Sequence, residues 1–302
     1  MAKDSYKAFL PFAGEAPKTN LIKKRGALLF SDVSGFTKMS EALGSHGKAG
    51  TEALIGILDM YFGRMLDIIK ENNGYVIYFA GDGMLISFMD KTAGKKCSSE
   101  MMKAMGDVDN IPTPFGAFSL SMKTTGVIGC WNEIIVGNEN AANIFIAGDA
   151  VKMIAEMEDS ASSGEELWQT LKDKKDNSND FTYNYSLPVK AYVPNDILKI
   201  AEKGQFGEHR AVSVIFLKVS GIDPASPDIP LLQQVVSEIG NIVERFGGAL
   251  QLIDNISPGS FKVLITFGAP FSRPNDLINS LTAGKMIVKQ LSYYSQITVK
   301  CG

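Results

Sequence analysis

Two stretches decide the fold: Phe30 to Thr37, FSDVSGFT, and Tyr78 to Phe88, YFAGDGMLISF. The first follows a short apolar run, Ala27 to Phe30, and turns on Gly35 between Val33 and Thr37. From Lys48 to Asn72 the apolar residues Leu54, Leu58, Tyr61, Met65 and Ile68 recur at helical spacing, and Asn73 and Gly74 end that helix. Tyr75 to Phe79 and Met84 to Phe88 are β-rich runs separated by AGDG, the pattern of a hairpin. Strand, turn, helix, strand, turn, strand is therefore the expected order, with Asp32 and Asp82 at strand ends.

Two carboxylates at the ends of neighbouring strands, beside glycine turns rich in free N–H groups, suit two Mg²⁺ ions and a triphosphate. Either aspartate alone reads as an ordinary turn residue; the pair points to phosphoryl transfer. Composition narrows the partners. The chain has 302 residues, 45% hydrophobic and 21% charged, with a formal net charge of -3, enough for two packed domains and without the basic stripe that nucleic acid needs. Three scattered cysteines, no CxxC and two histidines argue against disulfides and zinc. No apolar run approaches eighteen residues and the first twenty carry charges and prolines, so a cytoplasmic chain without a transmembrane segment or signal peptide is expected.

Further along, helices are expected at Ala93 to Met105, Gly148 to Asp159 and Glu165 to Lys175, and strands at Phe115 to Thr125, Ile128 to Val136 and Val189 to Val193. Asp173 to Asn184 reads as a loop and Asn195 to Lys203 as a short helix before a boundary at GQFGEHR. The pattern then repeats. SVIFLKVSGI at Ser213 to Ile222 matches LLFSDVSGF, Leu231 to Phe246 reads as a helix ended by Gly247 and Gly248, and Ala249 to Ile253 with Phe261 to Phe267 form a second hairpin. Lys218 stands where Asp32 stood and Phe261 where Asp82 stood, so the second copy lacks the metal carboxylates.

FSDVSGFT, the long helix, FAGDGMLISF and FIAGDAV (Phe145 to Val151) resemble class III nucleotidyl cyclases, closest to the soluble adenylyl cyclase type. The resemblance implies an α+β fold of ferredoxin-like cyclase domains in tandem, with an antiparallel-rich sheet and flanking helices. The implied layout is a leader over 1–24, a C1-like metal-binding domain over 25–195, a linker over 196–210 and an incomplete C2-like domain over 211–302. It further implies conversion of ATP to cyclic AMP and pyrophosphate. Asp32, Asp82 and Val33 would hold two Mg²⁺ ions, with Mn²⁺ or Ca²⁺ as the other candidates, while Val33, Ser34, Gly35, Phe36, Thr37 and Gly81 bind the phosphates. The implied partner is a second cyclase domain, within the chain or on another chain.

Departures from the family pattern open an alternative, a catalytically impaired cyclase-homology module that binds nucleotide or a partner domain. Lys152 and Glu156 occupy the positions of an Asn and an Arg that hold ribose and stabilise charge. Phe145 stands at a base-reading position and reads as core packing. Leu120 stands where a basic residue reaches the triphosphate; Lys123, three residues on, falls on the opposite face of a strand. Tyr78 and Ala155 replace the two basic residues of a bicarbonate site. The second copy breaks off at ITVKCG, which aligns with MKTTG at Met122 to Gly126, so the chain reads as the front of a longer cyclase, a truncated piece, or a protein that has given up catalysis. Through the apolar surface such an incomplete partner leaves open, it is expected to self-associate while making little cyclic AMP.

Overall fold

The computed structural model describes residues 19–106, 110–139, 141–172, 187, 189–192, 211–254, 259–269 and 271–302. The chain divides into two compact units. One comprises Arg25–Cys130 and Met153–Asp173; the other comprises Met1–Lys24, Trp131–Lys152 and Lys174–Gly302. The class is mixed α+β, with antiparallel-rich sheets and six helices among the described residues.

In the first unit, β1 (Leu21–Ser34) lies between β3 (Gly83–Phe88) and β6 (Ser121–Gly137), with β2 (Tyr75–Ala80) beyond β3. Strand β1 pairs antiparallel with β3, Ala27 opposite Phe88 and Ser31 opposite Met84. Helices α1 (Phe36–Gly44), α2 (Gly47–Glu71) and α3 (Lys91–Gly106) belong to this unit. Ala27, Leu29, Val33, Met84, Ile86, Phe88 and Met122 share one core cluster with Met39, Tyr61, Met65 and Met101 from the helices. Alternation along β1 therefore sends Leu28, Phe30 and Asp32 to the other face. The expected long helix and hairpin are present. Asn73 closes α2 at φ 54, and the Gly74 N–H reaches back to the Ile69 carbonyl at 2.9 Å.

Several expectations are corrected. The run Ala27 to Phe30 is the middle of a 14-residue strand, so Asp32 lies inside β1 and not at its end. The strands expected at Phe115–Thr125 and Ile128–Val136 are a short β5 (Gly116–Phe118), paired with β4 (Ile111–Thr113), and one continuous 17-residue β6. Gly126 does not break β6; it makes room. A Cβ there would sit 2.4 Å from the Trp168 ring. Trp168 belongs to β8 (Glu166–Thr170), which pairs parallel with β6, Gly126 opposite Trp168, where a helix over Glu165–Lys175 was expected. Indole packing over two glycines, Gly94 being the other, fixes the segment as a strand despite its charged ends.

The second unit carries the end of β6, paired antiparallel with β7 (Ala142–Ala147), and the start of α4 (Asp149–Ser160). Val189–Tyr192 is a 3₁₀ turn and not the expected strand: Leu187 and Ala191, four apart, are the residues buried there with Ile135 and Ala142, a spacing that suits a turn. The repeat is β9 (Ser213–Ser220), α5 (Ile229–Arg245), β10 (Ala249–Asp254), β11 (Ser260–Phe267), α6 (Asp276–Leu291) and β12 (Thr298–Cys301), in sheet order β10-β11-β9-β12. Asp228 caps α5 by accepting from the Leu231 N–H. Phe145 is fully buried and edge-on to Phe261 at 5.5 Å, as core packing requires. The loop expected over Asp173–Asn184, the helix over Asn195–Lys203 and the GQFGEHR boundary lie outside the described residues.

Substituting Gly126→Ala is expected to destabilise the chain by about 1–3 kcal/mol through overpacking against a rigid ring. Denaturant unfolding checks this. Adding Trp168→Leu should recover part of the loss, as neighbouring sites couple.

Candidate active site

Asp32 and Asp82 arrive at the site by different routes. Asp32 projects from β1 on the face opposite Val33 and the core; Asp82 sits in the β2–β3 turn, which Gly81 makes possible at φ 68. Both carboxylates are half-buried, and both are held above the ordinary carboxylate range. For Asp32 the causes are burial first, then the Asp82 charge, with Lys123 opposing and Glu158 adding to the rise. Burial raises Asp82 and its own backbone N–H works against the rise. Two partly desolvated acids, with the Asp82 charge adding to the rise at Asp32, make a site that favours a cation.

One cation is already present. The Lys123 ammonium lies 3.7 Å from an Asp32 carboxylate oxygen and is clamped by Glu158, at 2.5 Å to the side-chain oxygen and 3.1 Å to the backbone carbonyl. The alternation expected for Lys123 holds, but its consequence is reversed. Met122 is in the core, so Lys123 takes the other face of β6, and on the neighbouring β1 that is the face of Asp32. Leu120, at the position expected to carry a basic residue, is buried in the core.

The segment expected to bind phosphate is also sharper than the turn expected. Gly35, at φ 97, is the residue before α1, and no side chain caps that helix. A Cβ at Gly35 would lie 2.8 Å from the Ser119 carbonyl, so only glycine fits the close approach. The N–H groups of the first turn, Phe36 and Thr37 among them, have no partner inside the helix, an arrangement that favours an anion. The Val33 N–H differs from them, since it already serves the Asp32 carboxylate.

Tyr61 and Glu158 escaped the sequence reading. Tyr61, read only as one apolar position of the long helix, is 3% exposed, and its hydroxyl has no partner among the described residues. Burial, then Asp82 and Asp32, push its phenol well above its usual range. The orphan donor sits within the field of both acids. Elsewhere on α4, Lys152 and Glu156 are exposed and Ala155 is buried. Among the described residues, no three His, Cys, Asp or Glu side chains gather as a metal cluster, so the donor set for a cation is the aspartate pair. No helix among them is long and apolar enough to cross a membrane, which says nothing of strands.

No protein-family model matches the chain. In sequence it is 26% identical over 136 residues to adenylate cyclase type 10 of Oryctolagus cuniculus, a match spanning 42% of this chain and 8% of that protein's length. Among solved structures it is similar to the adenylyl cyclase CyaB from P. aeruginosa, with a TM-score of 0.40 and 23% identity, covering 49% of this chain and 78% of that one. The guanylyl cyclase Cya2 gives a TM-score of 0.38 and 23% identity, covering 48% and 75%. The sequence match is thus to a nucleotidyl cyclase, the kind of protein that the motifs resemble, and the chain spans only a small part of that relative's length.

The raised acids set a pH test. A carboxylate whose folded pKa lies above its unfolded value costs stability as pH rises from the unfolded value through the folded one. Asp82→Asn should therefore leave the melting temperature unchanged below about pH 3.8 and raise it by roughly 1–3 °C at pH 7 in EDTA, the solvent-screened gain of removing one of two repelling charges. Added Mg²⁺ should stabilise the wild type and not the variant. Calorimetry across pH checks both.

Proposed function

We propose that the chain carries the metal-binding half of a nucleotidyl cyclase site, which closes ATP to cyclic AMP and pyrophosphate. One observation supports this most directly: Asp32, Asp82 and Lys123 meet on one face beside an uncapped helix start. ATP is the substrate preferred because the sequence relative is an adenylate cyclase.

Asp32 and Asp82 would hold the divalent cation pair, Mg²⁺ with Mn²⁺ as the alternative, and nearby positive charge would offset both the burial of the two carboxylates and the rise that Asp82 causes at Asp32. When bound, such cations lower the pKa of the ribose 3′ hydroxyl and neutralise triphosphate charge. The chain's own groups do the rest. The N–H groups of Ser34 to Thr37 and of Gly81 receive phosphate oxygens, and Lys123, released from Asp32, donates to the triphosphate as a point charge. Its clamp on Glu158 keeps the ammonium at the site in both states. Held by these donors, the triphosphate would present its α-phosphorus in line with the attacking oxygen, so catalysis rests on orientation and charge stabilisation. The first unit acts as C1 and the repeat over 211–302 as its C2-like partner, inside the cell's cytoplasm.

A second reading, a cyclase-homology module that binds without turnover, is favoured by Lys152 and Glu156 at the positions of the Asn and Arg pair. Cyclic nucleotide production with ATP and GTP, measured beside Mg²⁺-dependent nucleotide binding, separates the two. For the cyclase, Asp32→Asn should cost at least about a hundredfold in rate, and Lys123→Gln should weaken triphosphate binding about tenfold. Unchanged turnover in Asp32→Asn contradicts the assignment; binding without product in the wild type establishes the second reading.

A further inference from the structure

The repeat has lost the acids and gained a row of bases. Lys218, at the position of Asp32, lies directly opposite Lys262 of β11 on one side and Lys300 of β12 on the other. All three are exposed. In antiparallel pairs, directly opposed side chains share a face with Cβ atoms about 4.5–5.5 Å apart, and like charges so placed repel. Asp254, opposite Lys262, answers one of the three, at 3.8 Å. The Lys218–Lys300 pair gains nothing for the fold.

Two residues along, the next cross-strand row on the same face is Ser260, Ser220 and Thr298, three hydroxyls in register. Ser260 is 2% exposed, and its hydroxyl has no partner among the described residues. A buried donor left unsatisfied is costly in the absence of a ligand. On the other side of the lysines, Phe216 stands open at 58% exposure, opposite Leu264. The core face of the same strands is filled by Val219, Phe261 and Val263, so the lysines and hydroxyls serve no packing role.

We propose that the Lys218–Lys262–Lys300 row, with the Ser260–Ser220–Thr298 row beside it, is a cation-independent polyphosphate site. Lys218 stands there in the position that Asp32 takes in the first unit, with Lys262 and Lys300 on the strands to either side. The ligand is a chain of two or three phosphates, either free or as the tail of a nucleoside triphosphate whose base lies on the Phe216 ring. Two residues of strand separate Phe216 from Lys218, about 7 Å, within the reach of one nucleotide. Divalent cations compete with the lysines for the same oxygens and weaken binding, the reverse of their effect at the aspartates.

The test is calorimetric titration of tripolyphosphate and of ATP into the 302-residue chain in EDTA, with Lys123→Gln run beside the wild type so that any phosphate taken at the aspartate site is recognised and only the remaining binding is assigned to this site. Both probes are expected to bind, Lys218→Gln to lose about tenfold or more in affinity, Lys262→Gln to lose less because Asp254 already engages it, and excess Mg²⁺ to weaken the wild type. Without ligand, Lys218→Gln should melt no lower than wild type, since it removes like-charge neighbours. Phe216→Ala separates the sources: weaker ATP with unchanged tripolyphosphate assigns a nucleotide, and no change in either assigns a free polyphosphate. Absence of heat from both probes, unchanged affinity in a folded Lys218→Gln chain, or tighter binding of a single-stranded oligonucleotide than of ATP would overturn the site.

Discussion

The pairing of β1 with its neighbours is the constraint on which the first unit depends. One face of β1 is committed to the core through Ala27, Leu29 and Val33, which leaves the alternate residues no choice of side. Asp32 must then share a face with the alternate residues of β6, Lys123 among them. A register slip of one residue would put a carboxylate into the apolar cluster and an apolar residue into the site. Burial of the core thus fixes the chemistry of the other face.

Electrostatics and packing pull in opposite directions there. Burial holds both acids above their ordinary range and the Asp82 charge adds to the rise at Asp32, Tyr61 has a buried hydroxyl without a partner among the described residues, and Lys123 offsets only part of the cost. Costs of this kind concentrate at functional sites, which supports the cation site proposed for the two aspartates. The repeat keeps the same scaffold and changes the signs. Gly35 and Gly221 hold matching left-handed turns, at φ 97 and φ 104. Yet the position before that turn is a carboxylate in one copy and an ammonium in the other, so identical backbone geometry presents opposite chemistry.

Much of this was legible in the residues. Glycines at the two turns, β-rich runs around AGDG and one long amphipathic helix are local signals, and they gave the hairpin that carries Asp82 and the long helix, though neither the length of β1 around Asp32 nor the short helix α1. What escaped was non-local. Gly126 looks like a break in a strand until the Trp168 ring is known to lie over it, and Glu165 to Lys175 looks helical until its parallel partner is known. Alternation along β6 alone turns Lys123 away from the site; only the neighbouring strand reveals that the far face of β6 is the face of Asp32. Glu158 comes to Lys123 from a helix 35 residues away, and no sequence pattern announces that contact.

The central claim is that Asp32 and Asp82 share divalent metal. Electron paramagnetic resonance of Mn²⁺, titrated with the chain in the presence of a non-hydrolysable triphosphate, reads it directly. The account predicts that the free-ion signal falls with wild-type protein and is retained when both aspartates are replaced by asparagine. A signal that falls equally with the double variant, or that never falls with the wild type, would contradict it.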